Sequence, residues 1–329
     1  MPAETLARFL SERWGEPVSI TGLKRFHGGS ARQTYRFDAT GVSGRREALV
    51  LRRDPPSSLI ETDRLAEYRA IACFAGTDVP VPEPIFCDAG PGSFGSPGFL
   101  MCEVAGGAAA GLLEPEPYGD HAAAIGQQFF TAMGRIHTAD PARASLPAMA
   151  PADAAVARLA HWEAAFRADA FRPEPLLDAA FRWLNSHLPP PPPRISIVHG
   201  DYRSGNFLHD GAGRLLAVLD WEMVHPGDAH EDLAWACDPL WSNFSGRPGA
   251  TLPLAEAIAT WEAASGLTLN PESWRWWRLF AQVQGLVIWI SAAREIIDGR
   301  SHDPVLMFAG TIPYRFHCVT LARALEALT

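Results

Sequence analysis

The chain has 329 residues, 47% hydrophobic and 20% charged, which is enough apolar material for one large domain or two ordinary ones and argues against wholesale disorder. Its net charge of −9 excludes nonspecific nucleic-acid binding, which draws its affinity from a basic face. The five cysteines, Cys73, Cys87, Cys102, Cys237 and Cys318, contain no C-x-x-C pair, which excludes a disulfide framework and a cysteine zinc site and leaves reduced thiols.

Thr5 to Trp14 has helical spacing, with Leu6, Phe9 and Leu10 on one stripe. No basic-then-apolar signal layout precedes it, and the protein is expected to be cytoplasmic. Strands are predicted over Val18 to Phe26 and through Thr34, Tyr35, Arg36 and Phe37, with Gly28-Gly29 turning between them. A third strand runs from Glu47 to Arg52 and ends at Asp54-Pro55-Pro56, because proline cannot donate to a sheet ladder. A helix over about Thr62 to Phe74 follows, then an extended proline-rich run from Val79 to Pro84.

The short apolar strand from Phe99 to Val104 runs into Ala105-Gly106-Gly107, where composition shifts and flexible residues coincide. Two units are therefore expected, an N-terminal lobe over 1–104 and a C-terminal lobe over 105–329. From Asp120 the chain reads as mainly helical, interrupted by an extended spacer at Pro189 to Pro193 and by strand-like runs at Ile195 to Val198 and Leu215 to Leu219. The apolar stretch from Phe280 to Ala293 is too short to span a bilayer and carries Gln282 and Gln284, so a buried helix is expected and no membrane partner. No feature of the sequence assigns an oligomeric state.

The strongest chemical signal follows the strand that ends at Val198: His199-Gly200-Asp201-Tyr202-Arg203-Ser204-Gly205-Asn206. An aspartate with an asparagine five positions later has the spacing of a kinase catalytic loop. There a carboxylate accepts the proton of an attacking hydroxyl, and a nearby amide oxygen holds a magnesium ion that bridges phosphates. A second strand delivers Asp220-Trp221-Glu222, placing a carboxylate where kinases keep the other metal ligand. Each piece alone reads as an ordinary turn; the three polar residues, each behind a strand, read together as a phosphoryl-transfer site.

His199-Gly200-Asp201 through Asn206, then Asp220-Trp221-Glu222, resembles the aminoglycoside phosphotransferase-like family of kinases. Gly227-Asp228-Ala229-His230-Glu231-Asp232-Leu233-Ala234-Trp235 resembles that family's segment after the metal aspartate, and Gly134-Arg135-Ile136-His137 its packing helix. The resemblance spans about residues 20 to 310 and is sharpest over 199–235. It implies an α+β, protein-kinase-like bilobal fold, with an antiparallel sheet and helix in the small lobe and a larger, mainly helical second lobe. It also implies ATP and Mg2+ as cofactors, with Asp201 as catalytic base and Asn206 and Asp220 as metal ligands. Asp232 is expected to brace the catalytic loop and His137 to be structural.

At the nucleotide end, His27-Gly28-Gly29-Ser30-Ala31 lies between two strands, where it reads either as a hairpin turn or as a phosphate-covering loop with Gly28, Gly29 and Ser30 facing the phosphates. Lys24 is the chain's one lysine, so the cation that kinases hold on the α- and β-phosphates must be arginine. Val50-Leu51-Arg52-Arg53 offers two, and the choice between Arg52 and Arg53 stays open, with Glu67 on the next helix as partner. Glu103 and Val104 stand where kinases offer backbone groups to adenine.

A hydroxylated small molecule is the expected acceptor, because only fourteen residues separate Asp220 from Trp235, too few for a long activation loop that docks a protein substrate. The L-R-R strand, Glu67-Tyr68-Arg69, Val79 to Pro82 and Asp220-Trp221-Glu222 look most similar to the branch related to acyl-CoA dehydrogenase-linked proteins that phosphorylate hydroxyacyl-CoA. Arg203, Arg275, Arg278 and Arg294 are then candidate partners for an anionic thioester, although they and the neighbouring tryptophans also suit a helical core. The alternatives are an antibiotic kinase acting on aminoglycosides and a nucleotide-binding pseudokinase.

Overall fold

The computed structural model describes residues 3–26, 33–54, 64–88, 90 and 93–328. Helix α1, Ala3–Trp14, is amphipathic and buries Leu6 and Leu10. Strands β1, Val18–Phe26, β2, Gln33–Gly41, and β3, Arg46–Arg53, form an antiparallel meander. Helix α2, Arg64–Phe74, then leads to β4, Pro84–Asp88, and β5, Gly98–Cys102, completing a five-stranded sheet in the order β1-β2-β3-β5-β4.

Strand parity divides this sheet between two cores. Tyr35, Phe37, Leu49, Leu51 and Leu100 face α1. Val50, Phe99 and Met101 face α2, burying its Ala70, Ile71 and Phe74, and that cluster continues into the C-terminal half through Ile125, Phe129 and Trp221. Phe74 stacks on Trp221 at 5.2 Å, so α2 rests on the residue that follows Asp220.

The C-terminal half begins with α3, Ala122–Thr138, α4, Ala154–Asp169, and α5, Pro175–Ser186. The proline run then crosses as extended chain to β6, Ser196–Val198. Strands β7, Phe207–His209, and β8, Leu215–Val218, make one small antiparallel pair; β9, His225–Gly227, pairs with β6 in another. These two pairs hold both chemistry-bearing loops. Helices α6, His230–Ala236, α7, Leu254–Ser265, α8, Pro271–Ile297, α9, Pro304–Ala309, and α10, Ile312–Glu326, complete the structure.

An antiparallel N-terminal sheet with a helical C-terminal portion is the kinase-like α+β architecture expected. The stretch Phe280–Ala293 is indeed the buried middle of α8, with Trp276, Trp277, Phe280, Val283 and Val287 in the second core. Pro304–Glu326 is apolar enough by length and composition to cross a bilayer. It breaks at Gly310-Thr311 into α9 and α10, which bury Leu306, Ala309, Pro313, His317 and Leu321.

Candidate active site

The catalytic loop is tied down from behind by Asp232. One carboxylate oxygen accepts the His199 N–H at 2.7 Å, and the other accepts the Gly200 N–H at 2.9 Å. His137 Nε2–H donates to the same carboxylate at 3.1 Å, and Trp261 Nε1–H donates to His137 Nδ1 at 2.9 Å. Because an indole nitrogen can only donate, Nδ1 must be the acceptor and the tautomer is set. Burial would raise the Asp232 pKa, but His137, His199 and the backbone donor hold it below the ordinary aspartate range. The bracing role expected for Asp232 and the structural role expected for His137 are both visible in this network.

His199 connects the two chemical loops. Its Nδ1 accepts the Asp201 N–H at 3.2 Å, and its Nε2–H donates to the Leu219 carbonyl at 2.9 Å. The Leu219 N–H donates to the Asn206 carbonyl at 2.8 Å. Asp201 and Asp220 are thereby held in register across sequence. Gly200 permits the crossing, since at φ +85° a Cβ would lie 2.5 Å from the Met223 carbonyl oxygen.

Asp201 accepts three side chains. Trp235 Nε1–H donates to Oδ1 at 2.7 Å, Asn206 Nδ2–H to Oδ2 at 2.6 Å, and Arg203 Nε–H lies 3.1 and 3.2 Å from the two oxygens. The Asn206 amide nitrogen is thus committed to Asp201, while its Oδ1 makes no hydrogen bond among the described residues. Asp220 sits at φ 65°, ψ 55°, a left-handed conformation that is strained for a side-chain-bearing residue and typical of functional sites.

Arg52 spans the carboxylates. Its guanidinium lies 2.8 Å from Glu67, 2.7 Å from Asp220 and 3.5 Å from Glu222. Burial works against its charge, but the three carboxylates more than offset that and raise its pKa. Asp220 is affected in reverse: burial would raise its pKa, and Arg52 holds it down. The pairing of β2 with β3 is unbroken from Gln33–Arg53 to Thr40–Arg46, so parity places Arg52 with Val50 on the α2 face. Arg53 points the other way, donating to Gln33 at 2.9 Å and to the Phe94 carbonyl at 3.2 Å. Arg52 therefore lies on the side of the strand that faces Glu67.

Other expectations fare differently. Gly28, Gly29 and Ser30 lie outside the described residues. The Glu103 N–H is not open to a ligand, because it continues the sheet by donating to the Ala48 carbonyl at 2.8 Å, while its side chain pairs with Arg36. Val104 is the first residue past that ladder, and its N–H and C=O make no hydrogen bond among the described residues. Arg203 is occupied by Asp201 and stacks over Trp241 at 4.6 Å. Arg275 covers Trp183, Arg278 donates to the Cys237 carbonyl and Arg294 pairs with Asp298, so these cations serve the helical core and surface. Roles for Trp235, Glu222 and Gln284 were not read from sequence. Gln284 donates to the Gly200 carbonyl at 3.1 Å from α8, a contact without local signal. Glu222 did carry one, the D-x-E spacing after a strand.

A family model described as the phosphotransferase enzyme family matches residues 22–280. The chain belongs to that family. This phosphotransferase is 26% identical over 227 residues to acyl-CoA dehydrogenase family member 11 of Gallus gallus, covering 67% of this chain and 28% of the relative. It is 28% identical over 252 residues to acyl-CoA dehydrogenase family member 10 of Mus musculus, covering 72% of this chain and 22% of the relative. The chain thus spans only about a quarter of the length of these relatives. Among solved structures, a protein of Ralstonia eutropha described as an aminoglycoside phosphotransferase superposes with TM-score 0.74 at 21% identity, covering 99% of this chain and 98% of that one. A thermostable mutant of the aminoglycoside phosphotransferase APH(4)-Ia, in ternary complex with AMP-PNP and hygromycin B, superposes with TM-score 0.59 at 19% identity, covering 98% and 99%. These likenesses show that the chain shares the fold of the aminoglycoside phosphotransferases.

Proposed function

We propose that the protein transfers the γ-phosphoryl group of ATP to a hydroxyl of a small acceptor, and that the acceptor is a hydroxyacyl-CoA thioester. The observation that carries the transfer is the convergence of Asp201 and Asn206 from the catalytic loop, Asp220 from the end of β8 and Arg52 from β3. Asp201 accepts the proton of the acceptor hydroxyl as its oxygen bonds to the γ-phosphorus and the bond to the β-phosphate oxygen breaks. Trp235 and Asn206 fix the direction of its carboxylate. Arg52, held by Glu67, supplies the cation for the phosphates. Backbone groups of Val104 are available for the nucleotide base.

Magnesium fits the donor set. Asn206 Oδ1 and the second Asp220 oxygen are hard oxygen donors that make no hydrogen bond among the described residues. Two protein ligands suit an ion that takes its remaining ligands from water and substrate phosphates. When bound, the ion neutralises charge developing on the phosphoryl oxygens.

The acyl-CoA class rests on the two relatives named as acyl-CoA dehydrogenase family members. The solved structures support a second reading, an antibiotic acceptor, since one of them holds hygromycin B. The test is ATP consumption with magnesium on hydroxyacyl-CoAs, aminoglycosides, macrolides and small amino alcohols, wild type beside Asp201→Asn. Turnover on hydroxyacyl-CoA that falls about a thousandfold in the variant is expected. Turnover confined to an antibiotic replaces the acceptor. ATP binding without turnover on any acceptor favours a pseudokinase, and absence of ATP binding overturns the reading.

A further inference from the structure

The segment 241–250 is built onto the catalytic loop and holds an aromatic ring in solvent. Ser204, three residues after Asp201, donates through Oγ to the Trp241 carbonyl at 2.9 Å and to Asn243 Oδ1 at 3.2 Å. Asn243 then donates through Nδ2 to the carbonyls of Gly111 at 2.7 Å and Glu114 at 2.9 Å. One buried amide therefore joins the catalytic loop to both ends of the turn that carries Leu113.

The backbone at this junction is strained. Asn243 and Phe244 take φ values of 46° and 65°, and Ala250 takes 61°. Three of the six non-glycine residues with positive φ among the described residues thus fall in one short loop. Phenylalanine is poorly suited to that region, where a left-handed conformation costs about 1–3 kcal/mol. The strain does not serve burial, because Phe244 is 75% exposed and Leu113 across the turn is 59% exposed. A lone exposed apolar side chain needs no explanation; one held out by two consecutive left-handed residues, wired to the catalytic loop, does. Arg247 follows three residues later and its guanidinium has no partner among the described residues.

We propose that Phe244 and Leu113 form an apolar lip that seats the acyl body of the acceptor beside Asp201, with Arg247 facing its anionic portion. This rests on the hydroxyacyl-CoA reading above and deepens it by naming the residues that select the class. A cationic amino sugar would meet carbon surface and a guanidinium here, whereas an acyl-CoA offers the complementary apolar and anionic parts.

Phe244→Gly separates this role from a structural one, because it removes the ring and relieves the positive φ together. With hydroxyacyl-CoAs of short and medium chain as acceptors, the variant is expected to melt no lower than wild type. Its KM for the acyl-CoA should rise by about tenfold or more, the loss expected when an apolar contact goes. The KM for ATP and the slow acceptor-independent hydrolysis of ATP should stay unchanged. Leu113→Ser should shift the acyl-CoA KM in the same direction, and Arg247→Ala should do so with weaker dependence on salt. An acyl-CoA KM within about twofold of wild type in both Phe244→Gly and Leu113→Ser overturns the lip while leaving the kinase reading in place. A wild type that leaves every hydroxyacyl-CoA unphosphorylated overturns the parent reading and the lip together, a failure seen before any variant is compared.

Discussion

The indole N–H of Trp235 donates to Oδ1 of Asp201 at 2.7 Å, across 34 residues of sequence. An indole is a donor only, so this bond can aim the carboxylate without ever competing for the substrate proton. Trp235→Phe keeps most of the buried ring and deletes the donor. The expected result is a fall in kcat of about tenfold or more, with the KM for ATP within about twofold of wild type. Steady-state kinetics decide it, and an unchanged kcat would reduce Trp235 to packing.

Arg52 lies against Glu67, Asp220 and Glu222 together. Arg52→Ala leaves three carboxylates facing one another, two of them largely buried, and should cost about 3–5 kcal/mol of stability as well as activity. Arg52→Lys keeps the charge but cannot match the guanidinium fork, so its melting temperature should fall between the other two while the KM for ATP rises. Thermal denaturation and ATP kinetics check both variants. Equal stability of Arg52→Ala and wild type would show that the cluster carries no net strain.

Gly200 and Gly211 give a paired comparison. Both have positive φ, +85° and +71°, but a Cβ at Gly200 meets the Met223 carbonyl at 2.5 Å while nothing lies within 4 Å of one at Gly211. Gly211→Ala should cost about 1 kcal/mol, the conformational penalty alone. Gly200→Ala should cost several times more and abolish turnover, because it pushes the catalytic loop off the segment after Asp220. Similar melting temperatures for the two would contradict the close crossing.

Asp228, Glu231, Asp232 and Asp238 are all buried carboxylates with lowered pKa values. Burial acts to raise each of them, and it is overridden by His230 at Asp228, Arg158 and His225 at Glu231, His137 at Asp232 and His317 at Asp238. A depressed folded pKa means that the unfolded chain binds more protons as pH falls. The stabilisation is therefore fully present above the unfolded value near 4 and is lost as pH drops through the folded values. Melting temperature should hold from neutral pH down to about pH 5 and then fall steeply. Asp232→Asn should lower the plateau and flatten the acid limb, readable by calorimetry across that range.

Much of this was legible in the sequence because it is local. The spacing of Asp201 and Asn206 is set within one loop, and Asp220 follows from the strand that carries it, so both survive any uncertainty in packing. The arginine choice was not legible. Which arginine faces Glu67 turns on strand parity, which one bulge would reverse, and the ladder from Gln33 to Thr40 is unbroken. That the Glu103 N–H is taken by the Ala48 carbonyl was not legible either, because it depends on how far the β3 edge runs beside the chain leaving β5.

By itself, the sequence determined the chemistry-bearing residue types, their order along the chain and the alternation of short strands and helices around them. Those depend on local spacing and periodicity. The tertiary structure alone decided which side chains meet: Arg52 with Asp220 across 168 residues, Gln284 with Gly200 across 84, and Ser204 with Asn243 across 39. It also decided that Arg203 is taken by Asp201 and that Phe244 is held outward. Such contacts join elements whose relative placement is set by burying shared apolar surface, and that placement leaves no spacing rule in the sequence.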